Sequence, residues 1–327
     1  MSMFSVRLPG EDDPRRLAVR EWISDHPSPT GRELLDSGYM VPHWAPPWGL
    51  GAGALHTYII SDELRRANIE RPQYAINRDY AAPLIFGAGT DAQRERHLAP
   101  MLAGEEVWCQ LFSEPGAGSD LASLTTRAVR DGDEYIVNGQ KTWSSHAHVS
   151  DFGILLVRTD PTAAKHRGIS YLICPMKTPG ITLTPIYSMD GKHHWNITFF
   201  NDVRIPVENR IGEENKGWGL ARETLANERM SMSSGEGLSW GHGPTFSDLR
   251  MLIRGMGGLR KRPEERQRFA QGYVDAMALH VLQMRALSRV QHAQSEDLVP
   301  EVRRALGDAH GRRRRVADRL RDRVTDV

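Results

Sequence analysis

The spacing of apolar positions along the 327-residue chain changes twice. Up to residue 105, apolar residues recur at helical spacing between proline-rich connections. Asp13 caps a helix that Pro14 opens, with Leu17, Val19, Trp22 and Ile23 on its apolar side and Pro27 and Pro29 ending it. Thr30 and Glu33 have the spacing of a capping box for a short helix that stops at Gly38. Trp44 and Trp48 lie in the proline-rich stretch from Met40 to Gly49, where they pin a loop against the core. Leu55, Ile59, Ile60, Leu64 and Ala67 trace a helix from Ala54 to Asn68, and Thr90 with Gln93 opens another that ends at Gly104.

From Val107 the period shortens to that of strands. Runs rich in β-branched and aromatic residues cover Val107 to Phe112, Leu124 to Arg130, Tyr135 to Trp143, Phe152 to Thr159, Ile169 to Cys174, Ile181 to Ile186 and Asn196 to Val203. Asp131-Gly132 and Asn138-Gly139 are turn dipeptides that imply antiparallel connections. Helical texture returns after Glu213, with one long stretch expected from Pro263 to Gln294, while Asp248 to Gly258 fits no element. The chain therefore reads as an α+β protein: an N-terminal helical domain (1–105), a central antiparallel β domain (106–212) and a C-terminal helical domain (213–327).

Composition narrows the function classes. With 39% hydrophobic and 25% charged residues the chain is an ordinary globular protein, and a formal net charge of +1 gives no electrostatic reason for a nucleic-acid partner. The basic run Arg312 to Arg315 is flanked by Asp308, Asp318 and Asp322 and reads as a solvated helix face. Cys109 and Cys174 both fall in apolar strands, so buried thiols are expected rather than a disulfide framework. No apolar run approaches the roughly 18 residues of a membrane span, and the expected location is the cytoplasm.

Candidate chemistry centres on Trp108 to Asp120, where an apolar strand runs into a glycine turn. Pro115 fixes its own φ, and Gly116 and Gly118 are free to take φ > 0, so successive N–H groups would converge on an anion beside the Ser119 hydroxyl. Neither the dinucleotide fingerprint nor the P-loop fits this turn. Gly237-Leu238-Ser239-Trp240-Gly241 matches a nucleophile elbow, which makes a serine hydrolase using Ser239 a remote alternative, but no apolar strand precedes the serine. His146 and His148, and His193 and His194, have metal-pair spacing without carboxylates or cysteines to complete a set, so they read as loop histidines and no metal is expected.

Two distant segments, Phe112 to Asp120 and Asn138 to Ser145, together resemble the E-P-x-A-G-S-D and N-G-x-K-x-W-[IS]-[TS] segments of the acyl-CoA dehydrogenases. The helical–β–helical order agrees. So do Phe199, Asp202, Val203, Pro206 and Asn209, and Gly217-Trp218-Gly219 at the start of the next helix. The resemblance implies a bound FAD, with Gln110, Phe112 and Ser113 lining the flavin ring, Gly118 in the turn, and Ser119 at the pyrophosphate or the CoA side. It also implies that Trp143 covers one flavin face, with Ser144 following it, and that Ser145 stands where the family usually has a threonine near the reactive nitrogen.

The implied reaction is α,β-dehydrogenation of an acyl-CoA thioester. The electron acceptor would be an electron-transferring flavoprotein or another oxidant, and the assembly a homo- or hetero-oligomer. In one branch of the family the base comes from the first helix after the β domain, just before an arginine. Leu225-Ala226-Asn227-Glu228-Arg229 has that form, so Glu228 is the expected base and Asn227 and Arg229 are expected at the substrate. The family's second glycine-rich segment and its Tyr-Glu-Gly segment are not visible, and Leu252 to Gly258 replaces its Arg-x-x-Phe-Gly segment. A shortened C-terminal block is therefore expected, and a noncatalytic or partner-dependent subunit is the alternative to an active dehydrogenase.

Overall fold

The structure, a computed structural model, describes residues 9–72, 74, 76–234, 253–255 and 263–274. Ser239, the basic run from Arg312 and the expected helix beyond residue 274 lie outside the described residues. The described residues fall into two compact units, one drawn from Met1–Pro27, Gly51–Asn68 and Arg229–Val327, the other from Ser28–Leu50 and Ile69–Glu228.

In the first unit α1 (Pro14–Asp25) packs on α3 (Ala54–Arg66). Asp13 caps α1 as its sequence predicts, its side chain accepting from the Arg15 N–H at 3.0 Å. Val19, Ile59, Ile60 and Leu64 are buried, and Arg16 is buried with them because its guanidinium pairs with Asp62 at 2.8 Å and with Glu63. A charge in that position is tolerable only when paired, so removing either side would leave an uncompensated buried ion.

The second unit begins with α2 (Gly31–Asp36) and continues through a one-turn π-helix (Ile76–Ala81), α4 (Ala82–Ala88) and α5 (Asp91–Leu102). Both expected capping boxes are present, Thr30 with Glu33 and Thr90 with Gln93. The Gln93 amide also donates to the Glu208 and Arg210 carbonyls at 2.7 and 3.0 Å, so one cap ties α5 to the sheet's last connection. Trp44 is buried and stacks on Phe86 at 4.3 Å, the loop-pinning role expected of it.

Among the described residues there are eight strands, β1 (Trp108–Leu111), β2 (Arg127–Asp131), β3 (Glu134–Lys141), β4 (Phe152–Arg158), β5 (Ile169–Pro175), β6 (Ile181–Tyr187), β7 (His193–Pro206) and β8 (Arg210–Ile211). They form one sheet in the order β6-β7-β3-β2-β4-β5-β8, with β1 paired to β4. β4 and β5 lie in its interior and are buried on nearly every residue, which is why Gly153 to Val157 reads as a continuous apolar run and Ile169 to Cys174 as one broken only by Ser170. Cys109 and Cys174 are buried free thiols in the core that Leu111, Tyr135, Val137, Leu155 and Val203 share.

The sheet is mixed rather than wholly antiparallel. Most pairs are antiparallel as expected, but β4 runs parallel to β1 and to β2. Those strands are joined by long connections rather than by a tight turn, and turn dipeptides carry no information about such pairs. Asp131-Gly132 does form a tight hairpin, Asp131 pairing with Glu134 and Gly132 taking φ +64°. Asn138-Gly139 does not: it is a bulge inside β3, with Gly139 at φ +147° and Thr126 so close that a Cβ there would come within 2.7 Å of it. Asn138 instead holds β7, exchanging hydrogen bonds with Asp202 at 2.9 and 3.0 Å. α6 (Gly217–Ser234) opens at the expected Gly217.

Candidate functional site

Phe112 to Asp120 leaves the end of β1, and Thr142 to Ser150 leaves the end of β3. A buried ion pair joins them. Lys141, fully buried, places Nζ 2.9 Å from Glu114 Oε1 and donates to the Phe112 carbonyl at 3.0 Å. Glu114 also accepts from the Thr125 N–H and hydroxyl at 2.7 and 2.8 Å and from the Thr126 N–H at 2.9 Å. Burial alone would raise the Glu114 pKa, but the Lys141 ammonium and the Thr125 and Thr126 donors outweigh it and hold the carboxyl at about 2. The Thr142 N–H donates to the Ser113 carbonyl at 2.8 Å, which ties Ser113 to the residue before Trp143.

Trp143 is an exposed aromatic held in an unusual backbone. It is 59% exposed, its φ is +59°, and Trp195 meets it edge-on with ring centroids 6.2 Å apart. Ser144 is fully buried. Its N–H donates to the Asn196 carbonyl at 3.0 Å, and its hydroxyl accepts from Thr198 Oγ1 at 3.1 Å, so its side chain anchors the loop from within. Ser113 and Ser145 are half-buried. The Phe112 ring is buried, edge-on to Tyr171 at 5.7 Å, which leaves its backbone as the part nearest Ser113.

The glycine turn departs from expectation. Neither Gly116 nor Gly118 takes a positive φ, and a Cβ at either would meet nothing within 4 Å. The turn is closed instead by paired backbone hydrogen bonds of 3.0 Å between Glu114 and Ala117, with Glu114 fixed from below by Lys141. Gly118 and Ser119 are exposed at the surface of the turn. Asp120 accepts from Ser123 Oγ at 2.6 Å and from Lys165. The sequence marks where the chain turns but not the buried carboxylate that closes it.

α6 packs Ala221 and Thr224 into the unit, and Thr224 Oγ1 lies 3.3 Å from the Tyr171 hydroxyl. One turn on, half-buried Glu228 lies on the same face. Its Oε2 accepts from Gln110 Nε2 of β1 at 3.4 Å. Burial raises the pKa of the Tyr80 and Tyr171 hydroxyls, and the Glu228 charge adds to the effect in both. Glu228 thus contacts Gln110, and its charge is felt at Tyr80 of the π-helix and Tyr171 of β5. Asn227 is half-buried and Arg229 exposed. Tyr80 is not marked by the sequence pattern because a single π-turn is too short to show a period; Asn77 fixes that turn, donating to the Met101 and Glu106 carbonyls and accepting from the Trp108 N–H.

The four histidines do come together. His148 stacks on His193 at 3.9 Å, and His146 lies edge-on to His194 at 6.3 Å. Among the described residues no group of histidine, cysteine and carboxylate side chains is arranged to hold a metal ion, and no helix is long and apolar enough to cross a membrane.

Residues 13–105 match the acyl-CoA dehydrogenase N-terminal domain and residues 109–203 the middle domain of the same family. The chain is 39% identical over 274 residues to the acyl-CoA dehydrogenase FadE34 of Mycobacterium tuberculosis, covering 84% of this chain and 37% of the relative. It is 30% identical over 281 residues to the acyl-CoA dehydrogenase IpdE1 of Mycolicibacterium smegmatis, covering 83% of this chain and 69% of the relative. Among solved structures, the ChsE4-ChsE5 complex from Mycobacterium tuberculosis superposes with a TM-score of 0.68 at 32% identity, covering 94% of this chain and 86% of that one. The chain spans half or less of the length of several curated relatives it matches.

Proposed function

Because the chain belongs to the acyl-CoA dehydrogenase family, we propose that it is an FAD-dependent dehydrogenase that introduces an α,β double bond into an acyl-CoA thioester, with Glu228 as the base. The observation that supports this most is the contact of Glu228 with Gln110 of β1, since the chain leaving β1 at Leu111 runs on to Ser113, whose carbonyl accepts from the N–H of Thr142, the residue before Trp143. In this reading 1–105, 106–212 and 213–327 are the helical, β and helical domains.

The residues present suit a flavin. An isoalloxazine ring needs a flat apolar wall with a few oriented polar groups, and Trp143 offers an exposed indole held by its anchored neighbour Ser144. Gln110, Phe112 and Ser113 on one segment and Ser145 on the other would line the ring; Gly118 and Ser119 would meet the diphosphate or the CoA from the exposed turn. When bound, FAD supplies the two-electron acceptor for the departing β hydride.

Glu228 takes the α proton on a carboxylate oxygen, and the electrons of that C–H bond form the new double bond as the β hydrogen leaves with its pair. Gln110 restrains the carboxylate, and Asn227 and Arg229 are assigned to the substrate. Reduced enzyme would pass electrons to an electron-transferring flavoprotein or another acceptor. The likeness to the ChsE4-ChsE5 complex supports a second reading, in which the chain works as one subunit of a heteromeric dehydrogenase. Adding an acyl-CoA to the purified, FAD-loaded protein separates the two: bleaching of the flavin band by the chain alone supports the first, and bleaching only after a partner subunit is added supports the second.

A further inference from the structure

Asn196, in β7, is almost fully buried, and it grips the Trp143 loop at several points. Its backbone exchanges hydrogen bonds with Ser144 at 3.0 and 3.1 Å. Its Nδ2 lies 3.1 Å from the Ser144 carbonyl and 3.1 Å from His148 Nδ1, and its Oδ1 lies 2.8 Å from His193 Nε2. These contacts fix the protons. A carbonyl oxygen only accepts, so the amide edge facing Ser144 is the NH2, and its second N–H must go to His148 Nδ1. His148 therefore accepts on Nδ1 and carries its proton on Nε2, while His193 donates from Nε2 to the Asn196 oxygen.

The loop needs such a grip. Trp143 and His146 both sit at φ +59°, a region that is strained for a side-chain-bearing residue and persists only where the surroundings over-determine it. The His146 N–H is held by the His194 carbonyl at 2.9 Å, and Trp195, next to Asn196, supplies the ring against Trp143.

We propose that Asn196 is a positioning residue for the Trp143–Ser145 segment, and that it holds this segment only while His148 Nδ1 is free of a proton. Protonated His148 would turn a second N–H toward the Asn196 NH2, lose that bond and leave a buried amide N–H unpaired. His193 keeps its bond to Asn196 in either charge state, because Nε2 donates in both. The titratable groups around His148 and its stacked partner are His146 of the same loop and His193 and His194 of β7, with Tyr187 of β6 against His193. Partial desolvation, then the charges of His193 and His194, hold His148 below the ordinary 6.5. Its neutral form is the one the fold favours. The grip is therefore complete above 6.5 and is lost as pH falls through the lowered value.

The catalytic consequence rests on reading Trp143 as a flavin contact; the grip itself does not. The test uses the full chain labelled with 15N-histidine and 5-fluorotryptophan, without FAD. At pH 8 the histidine spectrum should show His148 protonated on Nε2 alone. The fluorine resonance of Trp143, identified by its loss in Trp143→Phe, should shift along the His148 titration, and this shift should vanish in His148→Gln. Asn196→Ala should lower FAD affinity by about tenfold, and if that variant does not fold, the parent titration decides alone. A proton on His148 Nδ1 at pH 8, or a Trp143 resonance that ignores the His148 titration, overturns the proposal. If Trp143 follows His148 but added FAD leaves its resonance unmoved, the grip stands and the flavin reading fails.

Discussion

Glu114 and Lys141 lie 27 residues apart in the chain and meet as a buried ion pair at 2.9 Å. One belongs to the turn that follows β1 and the other closes β3, so this pair joins the two segments on which the functional reading depends. Glu114 also takes up the Thr125 and Thr126 N–H groups, and Lys141 takes up the Phe112 carbonyl. Neither charge is left without neutral donors or acceptors around it.

Replacing Lys141 with Met should destabilise the protein by about 3–5 kcal/mol, because Glu114 would remain buried and uncompensated. Denaturant unfolding of the variant measures this. A loss within about 0.5 kcal/mol, as at an ordinary surface site, would show that water or another cation replaces the ammonium.

The same pair sets an acid limit. The Glu114 pKa is lowered in the fold from an ordinary 4.5 to about 2, so its contribution is complete above 4.5 and fades as pH falls toward 2. Unfolding measured across that range should show a loss of stability that is absent from Glu114→Gln, whose stability is already reduced at neutral pH.

Gly139→Ala tests the bulge in β3. The φ of +147° and the closeness of Thr126 both oppose a side chain, and a loss of roughly 1–3 kcal/mol is expected. Thermal unfolding unchanged from the parent would contradict a bulge held by that geometry.

Trp143→Ala separates fold from cofactor. The indole is largely exposed, so stability should change by no more than about 0.5 kcal/mol. FAD retention should fall, or the flavin spectrum should shift. Unchanged flavin content and spectrum would remove Trp143 from the site.

Much of this was legible in the chain, for reasons that differ by residue. Caps at Asp13, Thr30 and Thr90 are local chemistry, and local chemistry reads directly from sequence. The buried strands announce themselves by apolar runs. Asn138-Gly139 misled because a glycine with φ > 0 serves a bulge as well as a turn, and only the approach of Thr126 decides between them. The π-turn holding Tyr80 depends on Asn77 reaching Met101, Glu106 and Trp108, contacts set by tertiary structure. Asn196 sits in a strand whose alternation hides it, and two of its partners, Ser144 and His148, come from a loop 52 and 48 residues away in the chain.

Gln110→Leu should slow flavin reduction roughly fivefold, the scale of one neutral hydrogen bond, with little change in substrate KM. A fall in FAD content without any change in the rate of the loaded fraction would place Gln110 at the cofactor alone.

The reaction turns on whether Glu228 removes the α proton. Rapid anaerobic mixing of an acyl-CoA with FAD-loaded parent protein and with Glu228→Gln, followed at the flavin band, tests it most directly. With Glu228 as the base, the parent is reduced, and Glu228→Gln binds FAD equally well but is reduced about 10²–10⁴-fold more slowly. Reduction of Glu228→Gln at the parent rate would contradict it.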